Sequence, residues 1–138
     1  MKTIETSRRV FLERKDLVLD KDTVIISITN PTDRLANLDH LGCKVIRFPF
    51  DDCEEADDFY PFPFQQIQAE EILQILLTND KVIVHCEMAY SRSPAVAIFA
   101  RNKLGFNWVN ETLDCLPNKL VYQMLLSEYE KLPKKAES

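Results

Sequence analysis

Residues 81–104 read KVIVHCEMAYSRSPAVAIFARNKL, and this stretch decides the fold. Its first part, Lys81 to His85, is a run of mostly β-branched residues that is typical of a strand. Its last part, Ala95 to Leu104, predicts a helix, because Ser93-Pro94 supplies a hydroxyl cap and a proline at the first helical position, and Gly105 follows the last turn. A strand that leads through a loop into a helix N-terminus directs backbone N–H groups and the helix dipole at an anion. The stretch therefore predicts an α/β unit with an anion site.

The rest of the chain supplies further strands and helices around this unit. Strands are predicted at Thr23–Ile28 and Lys44–Phe48, with a weaker one at Val10–Leu12, and helices at Gln65–Leu77 and Asn118–Leu132. Because the strong strands are apolar on both faces, we expect them to lie centrally, with helices on both sides. The predicted fold class is α/β, with a mostly parallel central sheet of four to five strands flanked by helices.

Length and composition predict one folded domain. A chain of 138 residues has the size of one domain, and its 46% hydrophobic residues are enough for one core, which excludes intrinsic disorder. We expect this single domain to span residues 1–138. Because terminal polar segments are seldom ordered, the ends at 1–6 and 133–138 are predicted to be flexible tails.

The charge balance restricts the partners. The net charge is -5 and the sequence pI is about 5.1. Nucleic acids and anionic membranes both attract basic surfaces, so neither is an expected partner. No apolar run reaches the roughly 18 residues that span a bilayer, and residues 1–9 lack the apolar region of a signal peptide. We expect a cytoplasmic protein.

The four cysteines, Cys43, Cys53, Cys86 and Cys115, form neither a C-x-x-C pair nor a dense disulfide framework. We therefore expect no metal site and no structural disulfide. Cys43 and Cys115 are assigned to packing. Cys53 is assigned to packing as well, with a reversible disulfide to Cys86 under oxidising conditions as the alternative.

The loop after the central strand brings a nucleophile and an anion-binding side chain together. Cys86 ends the strand, and Arg92 begins the helix six positions later. The planar guanidinium of Arg92 fits two phosphate oxygens, and its positive charge stabilises a thiolate. Ser91 and Ser93 are candidates to hydrogen-bond the sulfur and to stabilise it as a leaving group. The predicted phosphate-binding residues are Glu87, Met88, Ala89, Tyr90, Ser91 and Arg92.

The motif His85-Cys86-x5-Arg92-Ser93 resembles the signature of the cysteine-dependent protein tyrosine phosphatase superfamily, in particular its small dual-specificity branch. C-x5-R by itself is a weak pattern, but the preceding strand and histidine and the following Ser-Pro helix make it specific. The resemblance extends over residues 24–126 and includes the stretch PNKLVY at 117–122. It implies a protein tyrosine phosphatase-like fold and a reaction without metal or cofactor.

The resemblance also implies a two-step hydrolysis of a phosphate ester. Cys86 attacks the phosphorus, Arg92 and the loop amides hold the phosphate oxygens, an aspartic acid protonates the leaving oxygen, and water then releases phosphate. In this family the acid lies on a loop upstream of the cysteine. Here Asp52 stands 34 residues upstream of Cys86, with Asp51 beside it, in the irregular segment 49–63. We favour Asp52 as the acid and keep Asp51 as the alternative.

The implied substrate is a phosphorylated protein or peptide that carries phosphotyrosine or, in a dual-specificity enzyme, phosphoserine or phosphothreonine. Phosphate and sulfate-type anions are expected to bind in the same loop. Glu87, Met88 and Tyr90 add no positive charge, which disfavours inositol polyphosphates. His85 points to the side of the strand opposite Cys86, so we expect it to orient the loop by hydrogen bonding and not to act as a base.

One position departs from the family pattern. Ala89 stands where the family usually has glycine, and if this position needs a positive φ, the alanine costs on the order of 1 kcal/mol. This leaves a second hypothesis, a phosphate-binding module that docks phosphoproteins with little or no turnover. A third is a rhodanese-type sulfurtransferase, whose loop is typically one residue shorter between cysteine and arginine, so the spacing here favours phosphate.

Overall fold

The computed structural model describes residues 1–133, which form a five-stranded sheet with all strands parallel. The strands are β1 (Thr3–Arg8), β2 (Val24–Thr29), β3 (Lys44–Pro49), β4 (Lys81–Cys86) and β5 (Asn107–Trp108). Their order across the sheet is β3-β2-β4-β1-β5, so β4 lies in the middle. The predicted α/β class with a mostly parallel sheet of four to five strands is confirmed.

Long helices cover one face of the sheet. They are α2 (Gln66–Thr78), α3 (Arg92–Leu104) and α4 (Lys119–Glu130), and a single turn, α1 (Arg9–Leu12), precedes them. The buried side chains of the three long helices form one core cluster with those of β1, β2 and β4. The three strong predicted strands and the three predicted helices are present, with ends shifted by at most three residues. No helix in residues 1–133 is both long and apolar enough to cross a membrane.

Shorter elements cover the opposite face of the sheet. Leu12 of α1 and Leu41, which ends a 3-10 turn, pack against Ile25 of β2 and Ile83 of β4. The sequence predicted helices on both sides of the central strands, but only single helical turns and loops occupy this side. The apolar pattern of a strand shows that both faces are buried, and it does not show how long the covering elements are.

The prediction of a flexible tail at residues 1–6 is wrong. Residues from Thr3 onward form β1, which pairs with β4 on one side and β5 on the other, and Ile4 is fully buried. Ile4 and Thr6 face the core, whereas Glu5 between them is exposed. Because one face of β1 is open, the strand carries few apolar residues, and its sequence looks like that of a polar tail.

The predicted weak strand at Val10–Leu12 is also wrong, because these residues belong to the helical turn α1. Leu12 is buried, but Val10 and Phe11 are 59% and 49% exposed. Three consecutive apolar residues fit a buried strand by pattern alone. Here the turn follows β1 directly and buries one of the three.

At the other end of the chain, α4 ends at Glu130, and Pro133 lies in no helix or strand. The rest of the predicted C-terminal tail, residues 134–138, lies outside the described residues. All described strands belong to one sheet.

We expect Ile4→Ala to lower the free energy of unfolding by about 2–4 kcal/mol, because Ile4 is fully buried in an inner strand of the sheet. Its exposed neighbour provides the control: Glu5→Ala is expected to change that free energy by about 0.5 kcal/mol at most. Urea denaturation at neutral pH measures both variants. Equal effects of the two substitutions would contradict the placement of β1 inside the sheet.

Candidate active site

The candidate site lies at the carboxyl edge of the sheet, in the loop that joins β4 to α3. Cys86 is the last residue of β4 and is 3% exposed. Its Sγ lies 3.2 Å from Ser93 Oγ, and the backbone N–H of Ser93 donates to the sulfur at 3.4 Å. Because Ser93 lies in the first turn of α3, the sulfur is held at a helix N-terminus, where the dipole favours negative charge. This position suits a thiolate.

The backbone of the loop carries donors that the protein itself does not use. Among the residues that the structure describes, the backbone N–H groups of 88–92 donate no hydrogen bond to a protein acceptor. Successive free N–H groups next to a helix N-terminus form an anion-binding concavity. We call residues Cys86 to Arg92 the anion cradle.

Arg92 adds a buried cation to the anion cradle. Its side chain is anchored through Nη1, which donates to Asn30 Oδ1 at 2.8 Å and to the carbonyl oxygen of Phe50 at 2.7 Å. Arg92 is 4% exposed, and its Nε has no hydrogen-bond partner within residues 1–133. A buried N–H without an acceptor is costly, and an anion in the cradle would satisfy it.

The two candidate acids have different surroundings. Asp52 Oδ1 accepts a hydrogen bond from Ser91 Oγ at 2.8 Å, so Asp52 contacts the anion cradle directly. Asp51 is buried and binds inside its own loop: its Oδ2 accepts from the N–H of Phe62 at 3.0 Å, and its N–H donates to the carbonyl of Phe62 at 2.7 Å. The structure therefore brings Asp52 to the site and gives Asp51 a bracing role.

The two serines that were expected to contact the sulfur have different hydrogen-bond partners. Ser93 contacts Cys86 Sγ as predicted. Ser91 does not, because its hydroxyl donates to Asp52 instead. The sequence placed both hydroxyls within reach of the cysteine, but the side chain of Ser91 points to the segment that carries Asp52.

Asn118 is a site residue that sequence reasoning missed. Its Oδ1 caps α4 by accepting from the N–H of Val121 at 3.0 Å, and its Nδ2 donates to Asp52 Oδ1 at 2.9 Å and to the carbonyl of Cys53 at 3.2 Å. Its backbone N–H donates to the carbonyl of Ser91 at 3.0 Å. Asn118 thus ties α4, the anion cradle and the carboxylate-rich segment 49–63, called the acid segment below, together. The sequence predicted it only as the start of a helix.

The other residues of the cradle present their side chains to solvent. Glu87, Met88 and Tyr90 are exposed, and the Glu87 carboxylate lies 3.8 Å from Arg9 Nη1.

Ala89 has φ +55°, the one positive φ outside glycine within residues 1–133. The condition under which an alanine at this position carries strain, a positive φ, is therefore met.

His85 supports the cradle from the other side of β4, as predicted. It is fully buried; its Nε2 lies 2.7 Å from Ser27 Oγ on β2, and its Nδ1 lies 3.3 Å from the carbonyl oxygen of Cys86. Burial lowers the pKa of His85 to about 4, and the charges of Arg9 and Arg47 act in the same direction. The imidazole is therefore neutral at pH 7 and serves to hold the strand end.

Cys53 lies in the acid segment, and its thiol donates to the carbonyl of Tyr60 at 3.5 Å. Burial, with the nearby charge of Asp51, raises the pKa of this thiol. A raised pKa disfavours the reactive thiolate. This environment favours the assignment of Cys53 to packing.

A comparison of the chain with models of known protein families and with curated proteins finds no match.

All four cysteines are free thiols. Within residues 1–133, no three His, Cys, Asp or Glu side chains are grouped as a set of metal ligands.

We expect Ala89→Gly to raise the free energy of unfolding by up to about 1 kcal/mol, because glycine adopts a positive φ without the steric cost of a Cβ. Ala56→Gly serves as the matched control, since Ala56 is exposed in a loop and has no positive φ. That control is expected to be neutral or slightly destabilising. Urea denaturation compares both variants with the parent chain, and a loss of stability in Ala89→Gly would contradict the strain.

We expect stability to fall by about 1.4 kcal/mol per pH unit as the pH is lowered from 6.5 towards 5, because the unfolded chain then binds a proton on His85 that the folded chain excludes. Urea denaturation at pH 7, 6 and 5 measures this slope. The chain has two histidines, so His40→Gln is the control, in which the slope attributed to His85 persists. NMR titration provides a second test, and a folded His85 imidazole that titrates near pH 6.5 would refute the assignment.

Proposed function

We propose that this protein is a cysteine-dependent phosphatase similar to the small dual-specificity branch of the protein tyrosine phosphatase superfamily. Its substrates are phosphorylated proteins, with phosphotyrosine foremost and phosphoserine and phosphothreonine in addition. The observation that supports this most strongly is the anion cradle, in which the Cys86 sulfur, the unused N–H groups of 88–92 and the unpartnered Nε of Arg92 occur together. A cysteine that served only as core packing would need none of these donors.

In the first step, the thiolate of Cys86 attacks the phosphorus, an S–P bond forms, and the P–O bond to the leaving group breaks. The electron pair of that bond goes to the leaving oxygen, which takes a proton from Asp52. The N–H groups of the cradle and the guanidinium of Arg92 hold the three non-bridging oxygens and stabilise their charge in the transition state.

In the second step, water attacks the phosphocysteine and the S–P bond breaks. Asp52, now a carboxylate, accepts a proton from this water, and inorganic phosphate leaves. The departing sulfur becomes a thiolate again. The hydroxyl and N–H of Ser93, at 3.2 and 3.4 Å from the sulfur, stabilise the charge that it gains.

The choice of Asp52 as the acid is supported by its contacts. Its Oδ1 is held by Ser91 and Asn118, so the carboxylate stays next to the cradle, and the residue is exposed enough to reach a bound substrate. Asp51 has its carboxylate bound to a backbone N–H and is 5% exposed. Replacing Asp51 would therefore loosen the segment 49–63 but would leave the proton donor in place.

A reducing compartment suits this chemistry. A catalytic thiolate loses activity on oxidation, and the cytoplasm keeps thiols reduced. The four free cysteines of the chain agree with such a compartment. We therefore assign the activity to the cytoplasm as part of the proposal.

We expect the protein to release phosphate from p-nitrophenyl phosphate and from a phosphotyrosine peptide in the presence of a chelator. Cys86→Ser should abolish turnover of both, because the attacking sulfur is lost. The matched control is Cys43→Ser, since Cys43 packs against the far face of the sheet. Phosphate release by the wild-type protein and by both variants is measured in parallel. A Cys86→Ser protein that retains turnover would refute the mechanism.

The general acid is tested by the dependence on the leaving group. Asp52→Asn should lower kcat on the phosphotyrosine peptide by about 100-fold or more and on p-nitrophenyl phosphate by much less, because p-nitrophenolate is a stable anion that leaves without protonation. Asp51→Asn keeps an oxygen for the N–H of Phe62 and should lack this contrast between substrates. A contrast between the two substrates in Asp51→Asn and none in Asp52→Asn would assign the acid to Asp51.

A phosphoprotein-docking module with little or no turnover is the second candidate, and the strained Ala89 favours it. In this case the wild-type protein would bind phosphate or vanadate in the cradle and release no phosphate from either substrate. Such binding should be weakened by Arg92→Lys, because lysine lacks the planar fork of the guanidinium. Chelator-resistant turnover would exclude this candidate.

A further inference from the structure

The order of the parallel strands places different charges on the two sides of the anion cradle. At the carboxyl edge, β3 leads into the acid segment 49–63, β4 ends at Cys86, and β1 ends at Arg8. Since the strand order is β3-β2-β4-β1, the acid segment and Arg8 lie on opposite sides of the cradle. A peptide that lies along this edge with its phosphate in the cradle would pass both.

Arg8 is the immediate neighbour of the nucleophile across the sheet. It pairs in register with Cys86, and register partners on adjacent parallel strands are about 4.8 Å apart and project to the same face. Ile4 and Thr6 precede it on the buried, helix-covered face of β1. Arg8 continues this alternation at the end of the strand, where it is exposed.

The charge of Arg8 is not compensated within the described part of the chain. Its side chain makes no ion pair there, whereas the next residue, Arg9, lies within 4 Å of the carboxylates of both Glu13 and Glu87. Arg14, the other arginine near this end of β1, is paired with Asp16 at 3.0 Å. Arg8 is therefore the cation at this side of the cradle that is left for a ligand.

A groove lies next to the cradle on this side. It has a volume of about 710 Å³, and Ala89 of the cradle and Arg8 both line it, together with Val10 and Phe11. The exposed parts of Val10 and Phe11 give it an apolar wall. Leu12 and Ile83, which also line the groove, belong to the core cluster on the face of the sheet opposite Cys86, so the groove lies over that face and reaches the cradle at Ala89.

The other side of the cradle is strongly negative. The segment 49–63 contains six carboxylates and no lysine or arginine. Of these, Asp52 is next to the cradle, and Glu54, Glu55, Asp57 and Asp58 are exposed. The edge of the sheet therefore has the unpaired cation of Arg8 on one side, the carboxylates of 54–58 on the other, and the cradle between them.

We infer that this charge asymmetry selects the direction in which a phosphopeptide binds, with an acidic flank at Arg8 and a basic flank at residues 54–58. This inference rests on the proposed function, since the phosphate in the cradle fixes the peptide between the two sides. Arg8 acts as a specificity-determining residue that binds a carboxylate of the substrate. A peptide of the same composition in the reverse order would place like charges together.

Two peptides of equal composition test the inference, Arg-Arg-phosphotyrosine-Glu-Glu and Glu-Glu-phosphotyrosine-Arg-Arg. Fluorescence anisotropy measures their binding to Cys86→Ser protein, and turnover by the wild-type protein is measured in parallel. We expect one order to bind about fivefold more tightly, as one exposed ion pair allows. Adding Arg8→Gln should remove this preference, Arg8→Glu should reverse it, and 0.5 M salt should weaken it.

The matched control is Lys103→Gln, which removes one positive charge from the far end of α3 and should keep the preference. Equal binding of the two peptides would overturn the inference while turnover of both left the phosphatase proposal intact. A preference that persists in Arg8→Gln would overturn the role of Arg8. Absence of both binding and turnover would overturn the inference and the proposed function together.

Discussion

The parallel register of β4 between β1 and β2 is the constraint on which the site depends. Because the strands run in one direction, their carboxyl ends meet at one edge, and α3, which follows β4, must begin at that edge. A helix that begins there points its free N–H groups and its dipole back at the strand end. Cys86 therefore meets the N-terminus of α3 because of the chain direction, and the same register puts Arg8 beside it and Ser27 against His85.

The hydrogen bonds of the site separate its framework from its ligand-binding groups. Asn30 and the carbonyl of Phe50 accept hydrogen bonds from one nitrogen of Arg92. Asn118 and Ser91 donate hydrogen bonds to Asp52. These contacts fix the loops that follow β2, β3 and β4 to each other and to α4. These contacts satisfy the polar groups that give the site its shape. The donors that remain are the N–H groups of 88–92 and the Nε of Arg92, and they all belong to the cradle. These remaining groups are all hydrogen-bond donors, so they match a negatively charged ligand.

The parts of this arrangement that the sequence predicted are those with local signals. The strand and helix around Cys86 follow from a β-branched run and from Ser93-Pro94, which act over a few residues. β1 lacked such a signal, because its open face carries polar residues and only its neighbours in the sheet bury Ile4. Asn118 could be predicted as a helix start, but its bond to Asp52 spans 66 residues and exists only after folding. Sequence patterns thus locate Cys86, and the fold supplies its partners.

Ala89 connects the strain in the cradle with the groove beside it. At φ +55° the alanine costs the loop about 1 kcal/mol, and the same residue lines the groove next to Arg8. Strain in the backbone would affect every phosphate ester that binds in the cradle, including p-nitrophenyl phosphate. A contact of the methyl group in the groove would affect only substrates with a peptide flank. The two effects of Ala89 are therefore separable, since the strain acts on every substrate and the groove contact acts only on substrates with a peptide flank.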